Sequence, residues 1–273
     1  MKNFLIYAAL FFLSLPAHAD ETKAAPNPSL SINPVMIDSK NGSGSTLGLE
    51  YALSGKWKNL NLGSNDAGTD KIDPDATVGN AFVNYSAKGT VAASKDRNPK
   101  NLLEFELNGK YRFSGEIDVL SGFFTKYETD QSFTNKQLVY GVTATIGKRN
   151  LLAKNDEFAF DAYYGRVDPK GDDERKKALG TTAMNPYNRW DLELLYLVQV
   201  KSSIIDTVEF NYRYYLENGA STAIKNADLD KFQLATIRIG LQKDLFIAYS
   251  AGKLPFNKKN DQIFQIGLSY KFM

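Results

Sequence analysis

The stretch from Leu103 to Phe113, LEFELNGKYRF, contains the pattern that decides the fold. Apolar or small residues take every second position, and charged or polar residues fall between them. Successive side chains of a β-strand point to opposite faces, so this stretch predicts a strand with one apolar and one polar face.

The same two-residue period recurs along the chain. Further segments that show it begin at Leu47, Ala81, Ile117, Leu138, Phe158, Trp190, Val208, Ala235, Leu245 and Phe264. A weaker segment, 30–36, precedes them and brings the predicted number of strands to about twelve, with ten or fourteen as alternatives.

Strand length separates the two architectures that use such strands. Strands of soluble sandwiches and barrels usually have ~5–6 residues, whereas a tilted strand that crosses a bilayer needs ~9–11. Most segments of this chain match the longer figure. We therefore predict an all-β fold, a transmembrane antiparallel up-and-down β-barrel, as a single domain over residues 20–273.

Residues 1–19 have the parts of a secretory signal peptide. A positive start at Lys2 precedes an apolar run over 4–15, and Pro16-Ala17-His18-Ala19 ends in a small-x-small pattern. The run is shorter than the ~20 residues of a spanning helix. We expect the peptide to be cleaved and the chain to reach the cell outer membrane.

Cleavage would limit the available chemistry. It would remove His18, the single histidine, and the sequence has no cysteine. Serine–histidine, cysteine–histidine and histidine–metal mechanisms then have no residues to use. We expect no enzymatic activity, no cofactor and no metal site. The formal net charge of +2 gives no basic patch for nucleic acid.

The connections alternate as expected for an outer-membrane barrel, which has short periplasmic turns and longer external loops. Tight turns are predicted at 114–115, 202–203 and 243–244, and long loops at 168–188 and 218–230. The Asp- and Gly-rich stretch 59–76 breaks this rule. Either the first strand is miscounted, or the stretch is an unusual periplasmic loop.

The polar faces of the strands define the candidate lumen. Its predicted charged residues are Glu50, Lys56, Glu104, Glu106, Lys110, Arg112, Lys126, Glu157, Asp161, Asp191, Glu193, Glu209, Arg213 and Arg238. Both signs are present in similar numbers, which is compatible with an open pore and with an interior closed by ion pairs.

Apolar residues also fall on the inner face by phase. They are Phe82, Leu120, Phe124, Leu195, Leu197 and Phe246, and they predict a partly plugged interior or a path for an apolar or aromatic solute. Two functions remain open. The first is a porin-like channel for small polar or amphipathic solutes, and the second is a non-conducting barrel with a structural, adhesion or envelope-stress role.

Aromatic residues collect toward the strand ends and predict girdles at both membrane interfaces. The residues of the predicted periplasmic girdle are Trp57, Tyr111, Phe113, Tyr270 and Phe272, and those of the external girdle are Tyr127, Tyr164, Trp190, Tyr214 and Phe232. The surrounding partners would be outer-membrane lipid and lipopolysaccharide.

The last strand carries a family resemblance. Phe264, Ile266, Leu268, Tyr270 and Phe272 resemble the aromatic-ended C-terminal strand of Gram-negative outer-membrane β-barrel proteins, although Met273 follows the usual terminal Phe. The resemblance implies recognition of this strand by the barrel-assembly machinery. Residues 45–150, with Gly55-Lys56-Trp57 and Tyr111-Arg112-Phe113, are also similar to the salt-induced outer-membrane protein family, which implies a barrel without defined site residues.

Overall fold

The computed structural model describes residues 28–40, 44–61, 80–94, 98, 100–113, 117–200, 202–257 and 259–272. The strands in this part of the chain are β1 (Ser29–Ser39), β2 (Thr46–Asn61), β3 (Asn80–Ala92), β4 (Leu103–Phe113), β5 (Asp118–Thr129), β6 (Lys136–Arg149), β7 (Asp156–Gly171), β8 (Tyr187–Gln199), β9 (Ile205–Asn218), β10 (Lys231–Leu241), β11 (Leu245–Lys253), β12 (Asp261–Leu268) and β13 (Tyr270–Phe272). Their alternating apolar and polar residues are the reason that these segments are strands and not helices.

The strands close into a barrel. Consecutive strands pair antiparallel from β1 to β12, and β1 also pairs with both β12 and β13. β12 and β13 form one barrel strand that is interrupted at Ser269, so the described residues give a closed up-and-down barrel of twelve strands. The predicted fold class and strand number are confirmed. Closure leaves no unpaired sheet edge.

The weak first segment forms β1, which pairs with β2 over nine positions, from Ser29–Ser54 to Ile37–Thr46. The alternative that the first strand is miscounted is therefore wrong. β2 extends to Asn61, and most of the Asp- and Gly-rich stretch 59–76 lies outside the described residues. The signal peptide prediction for 1–19 and the turn prediction for 114–115 also lie outside them.

The two ends of the barrel differ. We call the end with Ser29 and Phe272 the terminal end and the opposite end the loop end. At the loop end, α1 (Asp173–Leu179) connects β7 to β8, and α2 (Thr222–Asn226) connects β9 to β10. Gly180 ends α1 in the left-handed conformation, with φ of 63°.

Among the described helices, neither is long or apolar enough to cross a bilayer.

The outer face of the barrel is apolar. Large apolar side chains on it are well exposed, and examples are Leu47, Phe123, Val142, Ile237 and Tyr249. Soluble barrels turn such residues inward. An exposed apolar band around a polar interior is the arrangement of barrels whose outer face contacts lipid.

Apolar side chains nevertheless fill part of the interior. Phe124, Val139 and Val167 form one buried cluster, against which Tyr163 and Tyr187 pack. A second cluster is formed by residues of β1, β3, β9–β12 and two connections, and its members are Val35, Ile37, Ala92, Leu102, Tyr215, Leu234, Phe246, Ala248, Leu254 and Ile263.

Inner-face glycines make room for these rings. A Cβ on Gly165 would lie 2.9 Å from the ring of Phe124, and one on Gly267 would lie 2.7 Å from the ring of Phe246. Leu102 and Leu254 come from connections at the loop end, so parts of these connections fold into the barrel.

Candidate functional site inside the barrel

Ion pairs cross the barrel interior. Glu104 on β4 accepts a hydrogen bond from Arg213 on β9 at 2.5 Å, and Lys88 on β3 donates to Glu193 on β8 at 3.0 Å. β3 and β4 are not neighbours of β8 and β9 in the sheet. These contacts therefore join facing walls of the barrel across its interior.

Lys126 is the centre of this arrangement. Its Nζ lies 3.6 Å from carboxylate oxygens of Glu104 and Asp191 and 3.9 Å from those of Glu106 and Glu128. Its side chain is only 5% exposed. Charges removed from water to this extent are stable only when they are paired.

Arg189 extends the network along β8. Its guanidinium donates to Glu128 at 2.7 Å and to Asp191 at 2.5 Å and 2.8 Å, and all three side chains are buried. We call the whole set the central ion layer, and its members are Lys88, Glu104, Glu106, Lys126, Glu128, Arg189, Asp191, Glu193 and Arg213.

A cavity of about 260 Å³ adjoins the central ion layer. It lies on the side of β1–β3 and β9–β12. The charged side chains that line it are Glu50, Lys88, Lys100, Glu104, Glu193, Glu209, Arg213 and Arg238, and the amide side chains are Asn33, Asn211 and Gln265. Acidic and basic groups are present in equal numbers around it.

Glu50 is the paired acid of the cavity that lies outside the central ion layer. It accepts hydrogen bonds from Lys100 at 3.2 Å and from Gln265 at 3.0 Å, and Arg238 lies 3.6 Å away. Lys100 comes from the connection between β3 and β4, which therefore reaches into the barrel. Asn98 anchors this connection, because its Nδ2 donates to the carbonyl of Thr90 at 2.8 Å.

Other polar groups of the cavity are not satisfied. The buried Oδ1 of Asn33 has no hydrogen-bond partner. Within the part of the chain that the structure describes, the carboxylate of Glu209 has no ion-pair or hydrogen-bond partner, and the guanidinium of Arg238 donates no hydrogen bond. Glu209 therefore differs from the acids of the central ion layer, each of which forms an ion pair.

At the loop end, α1 is tied to the barrel mouth. Arg175 of α1 donates two 2.7 Å hydrogen bonds to Glu217 of β9, and its guanidinium stacks 3.9 Å above the ring of Tyr187. Asp172 caps α1, and burial raises the pKa of its carboxyl above the usual range. This connection therefore covers part of the mouth.

The strand register places every predicted lumen residue on the inner face, but at different levels. Six belong to the central ion layer, and they are Glu104, Glu106, Lys126, Asp191, Glu193 and Arg213. Three line the cavity away from it, and they are Glu50, Glu209 and Arg238.

The other predicted lumen residues lie elsewhere on this face. Lys110 and Asp161 form a separate ion pair of 3.6 Å, and the Nζ of Lys56 lies 5.0 Å from the ring centroid of Phe82. Near the terminal end, Arg112 pairs with Asp118. The exposed Glu157 is the second residue of β7.

Eight of the predicted girdle residues lie on the outer face by register, and they are Tyr111, Phe113, Tyr127, Tyr164, Trp190, Tyr214, Tyr270 and Phe272. The side chain of Trp57 lies outside the described residues. Phe232 is a correction. It pairs in register with the luminal Tyr215 and packs against the second apolar cluster, because its phase in β10 is that of the inward Leu234.

Several site residues were missed by the sequence reasoning. Glu128 and Arg189 share the phase of predicted lumen residues on their own strands, and Lys88 shares the phase of the inner-face Phe82, so the period of two contained the signal for them. Asn33 is uncharged, so the charge pattern of the strands does not predict it. Lys100 lies in a connection, where no strand phase predicts a direction.

In the described ranges, no group of three or more Asp, Glu, His or Cys side chains is placed to hold a metal ion.

Comparison with known proteins relates the fold to solved barrels. No protein-family model matches the chain, so the similarity to the salt-induced outer-membrane protein family is not supported. No curated protein sequence matches either. A NanC porin structure is similar at 12% identity, with 89% of this chain and 100% of that chain covered and a TM-score of 0.50.

Two other solved structures show weaker similarity. The outer-membrane channel DcaP of Acinetobacter baumannii is 11% identical, with 94% of this chain and 100% of that chain covered and a TM-score of 0.46. The outer-membrane phospholipase A from Escherichia coli is 8% identical, with 93% and 94% covered and a TM-score of 0.44. At these identities the similarity to the NanC porin shows a shared barrel fold alone.

Proposed function

We propose that this chain is an outer-membrane β-barrel channel for small polar or amphipathic solutes. The observation that carries the proposal is the cavity of about 260 Å³, lined by charged and amide side chains and enclosed by a barrel with an apolar outer face. A barrel whose interior only had to be filled would not need a cavity lined by charged side chains, one of which, Glu209, has no ion-pair or hydrogen-bond partner among the described residues.

Three observations support the outer-membrane location. The apolar outer face suits contact with lipid and lipopolysaccharide, the strands have the length of membrane-crossing strands, and residues 1–19 have the pattern of a cleaved signal peptide. By the rule for such barrels the terminal end faces the periplasm. The C-terminal strand, which ends in Phe272, is the segment for the barrel-assembly machinery.

The conducting path in this proposal runs on the cavity side. Lys126, Glu128 and Arg189 of the central ion layer occupy the other side, where these side chains are nearly inaccessible to water. Lys100 and Leu102 reach into the barrel from the loop end and narrow the path there. We therefore expect a narrow channel that passes single ions and small solutes but not oligomeric solutes.

The proposed role is not enzymatic. No histidine or cysteine follows residue 18, so the sequence after the proposed cleavage site lacks the side chains that most hydrolytic mechanisms use as a base or nucleophile.

Planar-bilayer recording of the folded, detergent-purified protein tests the channel. We expect stable unitary current steps, with a reversal potential in a salt gradient that is altered by Arg238→Glu. Protein denatured before addition is the control for detergent leaks. Folded protein that inserts into the bilayer and gives no steps would contradict the channel.

A second candidate is a non-conducting barrel with a structural, adhesion or envelope-stress role. The observation that favours it is the pair of contacts from Glu104 to Arg213 and from Lys88 to Glu193, which span the interior. Silence of the inserted, folded protein in the bilayer would favour this candidate, and the search would then move to the loop end and its partners.

A further inference from the structure

Two opposite charges face each other in the cavity without pairing. Glu209 on β9 and Arg238 on β10 are direct partners in the strand register, and both line the cavity. Side chains in this relation have Cβ atoms roughly 4.5–5.5 Å apart. No ion pair joins the two groups, and Glu209 has no other partner among the described residues. Its carboxylate is therefore available to a cation.

Arg238 is held in place but keeps its donors. Its Nη1 lies 3.6 Å from Glu50, and its Cζ lies 3.5 Å above the ring centroid of Phe246. Stacking on the ring fixes the plane of the guanidinium. In the described structure its N–H groups donate no hydrogen bond. They are therefore available to a carboxylate, which guanidinium groups bind in a bidentate manner.

Asn33 supplies an independent sign of a ligand. It is only 6% exposed, lines the same cavity, and leaves its buried Oδ1 without a partner. Asn33 is the register partner of Glu50, so this acceptor lies beside the contact between Glu50 and Arg238. A buried acceptor in this state marks a position where a donor from a ligand or water belongs.

The arrangement selects among ligand classes. A solute with only negative charge would meet Glu50 and Glu209, and one with only positive charge would meet Arg238 and Lys100. A molecule with both charges close together pairs with the carboxylate of Glu209 and with the N–H donors of Arg238. The volume of about 260 Å³ corresponds to about nine water molecules at ~30 Å³ each, which suits a solute of amino-acid size.

We propose that the cavity binds a small zwitterionic solute, with its ammonium group at Glu209, its carboxylate at Arg238, and a ligand or water donor at the Oδ1 of Asn33. This inference gives the proposed channel a substrate class and rests on that proposed function. It requires only that the cavity is reached from one end of the barrel.

Equilibrium dialysis of radiolabelled L-alanine against the folded, detergent-purified protein tests the inference. We expect saturable binding that unlabelled L-alanine displaces and that acetate or methylammonium at the same concentration does not. Glu209→Gln and Arg238→Gln should each weaken binding at least tenfold. Asp206→Asn and Arg166→Gln, which make the same charge changes on exposed side chains, should leave the affinity unchanged.

Each other outcome overturns the inference. The absence of saturable binding to folded native protein would do so, as would full affinity in folded Glu209→Gln. Equal displacement of L-alanine by acetate or methylammonium would show a site for one charge only. The displacement experiment uses native protein, so it does not depend on the folding of a variant. Conductance without L-alanine binding would contradict this inference alone, whereas binding without conductance would contradict the channel.

Discussion

The central ion layer and the cavity contain the same types of charged residue, but they differ in how completely these charges are paired. In the layer, Lys126 is 5% exposed and lies within 3.9 Å of four carboxylates, so its charge is neutralised by the protein. In the cavity, Arg238 is 23% exposed, and the neighbouring Glu209 is unpaired among the described residues. The difference teaches that luminal charge by itself does not indicate a pore. Charged groups that are paired within the protein are structural, whereas groups without a protein partner are available to a solute.

The largest expected effect comes from removing the shared cation of the layer. Lys126→Met would leave Glu104, Asp191 and their neighbours as buried carboxylates with too few partners. Breaking a buried network in this way costs about 3–5 kcal/mol of the free energy of unfolding. Reversible urea unfolding in lipid vesicles measures it. Arg238→Met, the matched change in the cavity, should cost less than about 1 kcal/mol, and equal costs would remove the contrast between the two regions.

The next largest loss of folding stability is expected on the outer face of the barrel. Phe123 lies in the middle of β5 and is 73% exposed. Phe123→Arg should destabilise the folded barrel by about 2–4 kcal/mol in vesicles, because an arginine at the bilayer midplane loses its hydration. Leu152, which is 78% exposed in the turn between β6 and β7, is the control.

Leu152→Arg should change stability by less than about 0.5 kcal/mol. Similar losses for the two variants would show that Phe123 does not face lipid.

The smallest losses of folding stability are expected from the removal of single amide side chains. Asn98→Ala removes hydrogen bonds to Thr90 and Gln131 and should cost about 1–3 kcal/mol. Asn33→Ala removes a buried acceptor that has no partner and should cost less than about 0.5 kcal/mol. The same unfolding measurement compares them. A larger loss for Asn33→Ala than for Asn98→Ala would mean that the native protein already satisfies this amide.

The sequence was sufficient to predict the faces of the strands. The period of two holds along most of each strand, with register shifts near three strand ends. The register carries it around the closed sheet, so Glu104, Lys126 and Arg213 are all found inside. The girdle prediction for Phe232 is wrong because it rests on aromatic character near a strand end and not on the position of this residue in the alternation of β10. The phase of β10, set by Leu234 and Arg238, points it inward.

The partners of the inner residues could not be predicted. Glu104 and Arg213 are separated by 109 residues, and which walls face each other depends on the closure and tilt of the barrel. Lys100 enters from a connection, where the sequence has no period. The position of the cavity follows from these two features, and no local pattern contains it.

Single-channel conductance of a charge-neutral variant tests the central claim most directly. Glu104→Gln with Arg213→Gln removes the 2.5 Å contact across the interior without changing the net charge. Asp168→Asn with Lys170→Gln removes an ion pair whose lysine is more than half exposed, and it is the matched control. We expect current steps from native protein, larger steps from the first variant, and native steps from the control. Folded native protein and a folded first variant that both stay silent would contradict it.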